Sequence, residues 1–133
     1  MGGTRALPLH LDRGQRGEQA AKEELTRLGM RFLTANFRYQ RGEIDLIFED
    51  GECLVFVEVK TRSAGGWLRP AAAVNRRKKR LLSKTALAYL RKVRRPRTKF
   101  RFDVVEVMLE GERVAELRHL PDAFPLDAGY RYG

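Results

Sequence analysis

The run Cys53 to Thr61 (CLVFVEVKT) constrains the fold more than any other stretch of the chain. Residues of both parities are apolar along most of its length. A strand of that kind sits in mid-sheet with both of its faces covered. Any fold for this chain must therefore place layers on both sides of a sheet. Two residues break the pattern. Side chains two apart share a face, so Leu54, Phe56, Glu58 and Lys60 project together. That face starts apolar and ends ionic.

Turn and periodicity signals place the other elements around this strand. Gly14 to Leu28 reads as a helix, with Ala21, Leu25 and Leu28 on one face and Gly29 as its stop. Arg31 to Tyr39 alternates as a strand, Gln40-Arg41-Gly42 turns, and Glu43 to Phe48 is a second strand. Glu49-Asp50-Gly51 then leads by a hairpin into the Cys53 strand. Ala71 to about Val93 reads as a long helix ended by Pro96. Thr98 to Leu109 and Arg113 to His119 are two more strands. The order is αβββαββ. Short connections make the first three strands an antiparallel meander. The long helix is a crossover that brings the fourth strand parallel to the third. The expectation is one domain over 1–133, its core about 14–109, with a C-terminal strand and tail over 110–133. The fold class is α/β, a mixed sheet flanked by helices.

Asp45 intrudes between Ile44 and Leu46 as Glu58 does between Val57 and Val59. A hairpin joins the two strands, so the carboxylates can converge, although the register is not legible. Two acids in a partly buried sheet repel and are costly to desolvate. A divalent cation relieves both costs, and oxygen ligands without His or Cys suit Mg²⁺ or Mn²⁺. Lys60 would stand beside a metal-bound water and a phosphate. The plain alternative is a Glu58–Lys60 ion pair at a strand end with Asp45 at a strand edge. On a helical wheel Glu18 lies at the rim of the apolar arc, over Gly17 and Ala21. It is either a carboxylate reaching inward or a helix-start acid favoured by the macrodipole. Glu43 reads as a neighbour of this group or as a solvent residue.

These residues carry a resemblance. Gly42-Glu43-Ile44-Asp45-Leu46-Ile47 followed by Phe56-Val57-Glu58-Val59-Lys60-Thr61-Arg62 resembles the PD-(D/E)xK nuclease superfamily. It is more closely similar to the YraN family of predicted endonucleases. The likeness runs from about Gly14 to Val105 and takes in Gly17-Glu18-Gln19-Ala20-Ala21 and Arg101-Phe102-Asp103-Val104-Val105. It implies a restriction-endonuclease-like fold with an αβββαβ core. Archaeal Holliday-junction resolvases are similar in setting a helix glutamate, an aspartate and E-x-K around a metal. Carried over, that makes Glu18, Asp45 and Glu58 the metal ligands and these three with Lys60 the catalytic set. Ile44 stands where the superfamily motif has proline.

Charge suggests the partner. Lys60 to Arg101 holds 16 of the 27 basic residues and none of the 17 acids. The rest of the chain is mildly acidic. Such asymmetry points to a polyanion. On the long helix Arg76, Arg77, Arg80, Lys84, Arg91, Arg94 and Arg95 share one face, opposite Val74, Leu81, Leu82, Ala86, Tyr89 and Val93. Cations at that density repel, so the lack of acids there argues for a bound polyanion; the expected one is nucleic acid, DNA rather than RNA. A solvated face or an anionic membrane is the alternative, but the apolar face is needed to cover the sheet. Lys78 falls inside the apolar arc. It either snorkels or reaches a phosphate near the metal, where the YraN-like pattern expects a lysine. Trp67 is a stacking or flap candidate, or packs on the domain edge.

The single cysteine, Cys53, excludes an internal disulfide and a multi-Cys zinc site, and reads as a buried side chain. No run is long enough to span a bilayer and no signal peptide is legible, so the expected home is the cytoplasm. The reading is a Mg²⁺-dependent DNA endonuclease, acting on branched or damaged DNA in repair or recombination, with a homodimer compatible with cutting two strands. The competing reading is a nucleic-acid-binding module that keeps the nuclease fold without cutting.

Overall fold

The computed structural model describes residues 11–63 and 74–130. Five strands form one sheet in the order β1 (Arg31–Tyr39), β2 (Gly42–Asp50), β3 (Cys53–Ser63), β4 (Lys99–Glu110), β5 (Arg113–Phe124). Only the β3–β4 pair is parallel. The expected meander and the crossover through a helix are both present.

Helix α1 (Arg13–Arg27) covers one face and α2 (Arg76–Lys92) the other. Val55 and Val57 pack on the α1 side with Ala21, Leu25 and Val105. Leu54 and Phe56 pack on the α2 side with Leu82, Tyr89 and Phe102. The unbroken apolar run of β3 is the sequence form of this double burial. Asp12 caps α1, accepting from the Gln15 N–H at 2.8 Å while Gln15 Oε1 accepts from the Asp12 N–H at 3.0 Å. Gly29, at φ 97°, ends the helix in a conformation that suits glycine.

Three expectations are corrected. Helix α2 starts at Arg76, not Ala71. Asn75 is extended and its Oδ1 accepts from the Lys78 N–H at 2.8 Å, so the cap sets the start. Ala71 to Ala73 lie outside the described residues, as does Trp67. The helix stops at Lys92, before Pro96, because Arg94 turns left-handed at φ 58°. Arg94 and Arg95 therefore leave the basic helix face, and Arg95 turns back to pair with Glu49 at 3.0 Å. Finally, β5 runs past Pro121 to Phe124. Proline is tolerated because β5 is an edge strand. Phe124 stacks on Phe102 with centroids 4.9 Å apart, which anchors the strand end in the core.

No described helix is long and apolar enough to cross a membrane.

Candidate active site

The site forms where the sheet ladder between β2 and β3 stops. The last paired residues are Leu46 and Val57. One step on, Asp45 and Glu58 would face each other, and two adjoining carboxylates take the place of a backbone pair. Asp45 Oδ2 accepts from the Val59 N–H at 2.7 Å, so a side chain closes the fork. The alternation of β2 also breaks here. Ile44 packs on the α2 side although Leu46, two residues on, packs on the α1 side. Opposite, β1 pairs Ala35 with Leu46 and Phe37 with Ile44, leaving Asn36 between them at φ 53°. Asparagine is among the few non-glycine residues that adopt this region readily.

Burial, then the charge of Glu58, pushes the Asp45 carboxyl up to about 8; the Val59 N–H partly opposes this. Glu58 is 4% exposed. Its Oε2 receives two ammonium groups, Lys60 at 3.3 Å from its own strand and Lys78 at 3.2 Å from α2. Its Oε1 is buried and has no hydrogen-bond partner. The structure thus joins Asp45, Glu58, Lys60 and Lys78. Lys78 is partly exposed yet does not stand apart. It spans from the opposing helix to the buried acid.

Glu18 stands at the margin. Its Oε1 accepts from Asn36 Nδ2 at 3.4 Å. Burial raises its pKa, the Asn36 bond opposes that, and the charges of Glu43, Asp12 and Glu58 add to the rise. It therefore feels the site electrostatically. Among the described residues, however, no three His, Cys, Asp or Glu side chains are set to hold one metal ion. The carboxylates that adjoin are two, Asp45 and Glu58. Those two fit a hard cation, since Mg²⁺ is commonly held by one or two carboxylates and keeps several waters. The orphaned Glu58 Oε1 is a free ligand atom for it. Glu18 reaches this edge of the sheet because Gly17 lies tight on β3. A Cβ at Gly17 would come 1.9 Å from Thr61 Oγ1. Glu43 pairs with Arg38 at 3.4 Å.

Two participants were missed in the sequence. Asn36 could have been noticed as a lone amide in an alternating strand. Glu106 has no such signal. It lies beside Lys60 in the parallel register, is 1% exposed, and neither of its oxygens has a hydrogen-bond partner. Arg62 Nε lies 3.8 Å from its Oε2. Burial raises its pKa, against the charges of Arg62 and Arg118.

On α2, Arg76, Arg77, Arg80 and Arg91 are exposed and Lys84 is half-buried, as the wheel required. Residues 17–107 match the model of the uncharacterised protein family UPF0102. The chain belongs to that family. A UPF0102 protein of Trichlorobacter lovleyi is 41% identical over 114 residues, covering 85% of this chain and 90% of the relative. One from Alkalilimnicola ehrlichii is 45% identical over 111 residues, covering 83% and 86%. One from Symbiobacterium thermophilum is 49% identical over 94 residues, covering 71% and 80%. UPF0102 is the YraN-like family to which the two motifs pointed. The matched span includes every residue of the site, from Glu18 to Glu106.

Proposed function

We propose that this UPF0102 chain is a Mg²⁺- or Mn²⁺-dependent endonuclease with a restriction-endonuclease-like fold, hydrolysing phosphodiester bonds of DNA, branched or damaged DNA in particular. The observation that carries the reading is the pair Asp45–Glu58. It is a mutually repelling pair of acids, Glu58 buried and Asp45 half-buried, in which one Glu58 oxygen is left open and the other meets two lysines. A purely structural ion pair has no use for the second acid or the open atom.

Asp45 and Glu58 would hold the cation. Bound there, it lowers the pKa of a water and offsets charge on the phosphoryl oxygens. Lys60 and Lys78, released from Glu58 Oε2, donate hydrogen bonds to the attacking water and to a phosphate oxygen as negative charge builds on it. Glu18, through Asn36, shapes the wall facing α1. The α2 cations Arg76, Arg77, Arg80, Lys84 and Arg91 position the backbone without reading sequence. Cutting both strands of a duplex calls for two copies, which favours a homodimer.

The second reading is a nucleic-acid-binding module that does not cut. It draws on the absence of a third converging carboxylate among the described residues. Divalent-metal titration with a cleavage assay on duplex, single-stranded, flap and four-way-junction DNA separates the two. Metal binding and cleavage that vanish together in Glu58→Ala and Asp45→Asn support the nuclease. DNA binding with neither metal uptake nor cleavage on any substrate sinks it.

A further inference from the structure

A second feature of the same face is a cavity between the β1–β2 turn and the middle of α2. Its volume is about 230 Å³. Tyr39, Gln40 and Arg41 line it from the turn, and Leu81, Lys84 and Thr85 from the helix. A water occupies about 30 Å³ of liquid, so the space admits a phosphate group with several waters.

Charge distinguishes this cavity from three others among the described residues. The one on α1 includes Glu23, and the one by the β4–β5 turn includes Glu110. The one under β5 also lacks an acid but has a single cation, Lys79, among apolar residues such as Val104, Leu120 and Phe124. The turn cavity has two cations and no acid. Neither Arg41 nor Lys84 makes a salt bridge to a described residue. The hydroxyl of Tyr39 accepts from Gln40 Nε2 at 3.3 Å, so its own O–H remains available as a donor. The Arg91 guanidinium lies 5.9 Å from the Tyr39 ring centre and adds a third positive charge at the rim.

The backbone holds these groups in place. Tyr39 and Gly42 are partners across a two-residue turn. Turns of this kind favour Asn-Gly, yet this one carries Gln40 at φ 53° and then Arg41. Strained residues of this sort gather at ligand sites. Gly42 seats the turn on the helix. A Cβ there would come 2.0 Å from Thr85 Oγ1, which itself donates to the Leu81 carbonyl at 2.7 Å. Arg41 and Lys84 are therefore fixed relative to each other rather than mounted on separate mobile parts.

We infer that this cavity is a phosphate subsite, in which Arg41 and Lys84 together hold one backbone phosphate of a bound nucleic-acid strand. Gly42 is three strand residues from Asp45, or about 10 Å at ~3.3 Å per residue. Successive phosphates lie farther apart than the axial rise of ~3.4 Å per nucleotide, so the held phosphate is fewer than about three nucleotides from the bond at Asp45 and Glu58. The inference deepens the nuclease reading by giving the substrate strand a second fixed point. Its test needs no cleavage.

The test is DNA binding by the full chain, followed by fluorescence anisotropy on a labelled duplex in EDTA across a salt series. The variants are Arg41→Ala, Lys84→Ala and the double. Each single variant should weaken binding about fivefold, with little change in salt slope, because the other cation still neutralises the phosphate. The double should lower the slope by about one unit. Arg76→Ala with Arg80→Ala, which share no cavity, sets the additive standard at about two units. Lys22→Ala on α1, whose ammonium sits 4.0 Å over Phe32, should change nothing. A fall of about two units in the Arg41, Lys84 double means two separate phosphates and overturns the subsite. An unchanged slope also overturns it. Loss of cleavage with this pattern intact would instead count against the nuclease reading alone.

Discussion

Two acids set among apolar residues of this sheet, Asp103 and the half-buried Asp45, meet opposite fates. Asp103 is fully buried, and burial by itself would push its pKa up. It accepts from His119 at 2.7 Å, from Arg101 at 2.9 and 3.3 Å, and from the Asp122 N–H at 2.9 Å, and these bonds more than reverse the effect. Asp45 has one backbone N–H and an adjoining carboxylate, and its pKa climbs instead. Both are single acids within apolar strands. A charge kept for structure has its valences filled from all sides, whereas a charge kept for a ligand leaves some open.

The strongest way to break the comparison is to neutralise each acid in turn. Asp45→Asn or Glu58→Gln should cut metal-dependent cleavage on the order of 10³-fold or more. Asp45→Asn, which breaks no ion pair, should also raise metal-free stability in denaturant by about 1–3 kcal/mol at pH 8, since a repulsion is removed. A loss of stability would mean that this acid is structural after all. Asp103→Asn should do the reverse. It should cost about 1–3 kcal/mol, because the half-buried Arg101 and His119 are left beside a weaker partner, and leave the turnover of the folded fraction intact.

Stability against pH sharpens the contrast without mutation. Asp45 keeps its proton in the folded chain up to about 8, while the unfolded chain loses it near ~4. Its contribution favours folding below that lower value and is lost as pH rises towards the upper one. Melting of the metal-free protein between these limits should therefore show a decline that Asp45→Asn flattens and Mg²⁺ reverses. Asp103, held below the ordinary range, contributes stability above ~4 that is lost on acidification. A Tm profile with no slope on the alkaline side would contradict the account of Asp45. The smallest effect expected is Glu106→Gln, a gain of about 1 kcal/mol at neutral pH from removing a buried carboxylate that has no hydrogen-bond partner. A clear destabilisation in chemical unfolding would show that Arg62 gives Glu106 more than its 3.8 Å separation suggests.

Much of this was legible in the sequence. The double burial of β3 was written in CLVFVEVKT, and the crossover followed from strand spacing. The convergence of Asp45 with Glu58 needed only a hairpin. What was not legible depends on contacts distant in sequence. Nothing local says that alternation breaks at Asp45, because the break is shared with Asn36 on another strand. The start of α2 misled because Ala71-Ala72-Ala73 favours helix, while the cap that decides the matter is Asn75. Strand β5 outran its expected end because Pro121 reads as a terminator until the strand is known to lie at an edge. Lys78 could be marked as misplaced on its helix, but only the packed sheet gives it Glu58.

The close seats of Gly17 on Thr61 and Gly42 on Thr85 bear on how such a chain can change over generations. Around them, exposed faces can exchange residues freely. At these two points a single added methyl group would act as a wedge, one lifting α1 from β3 and the other lifting the turn from α2. Heritable variation in this protein is thus expected to be broad over its faces and nearly nil at two positions that carry no chemistry of their own.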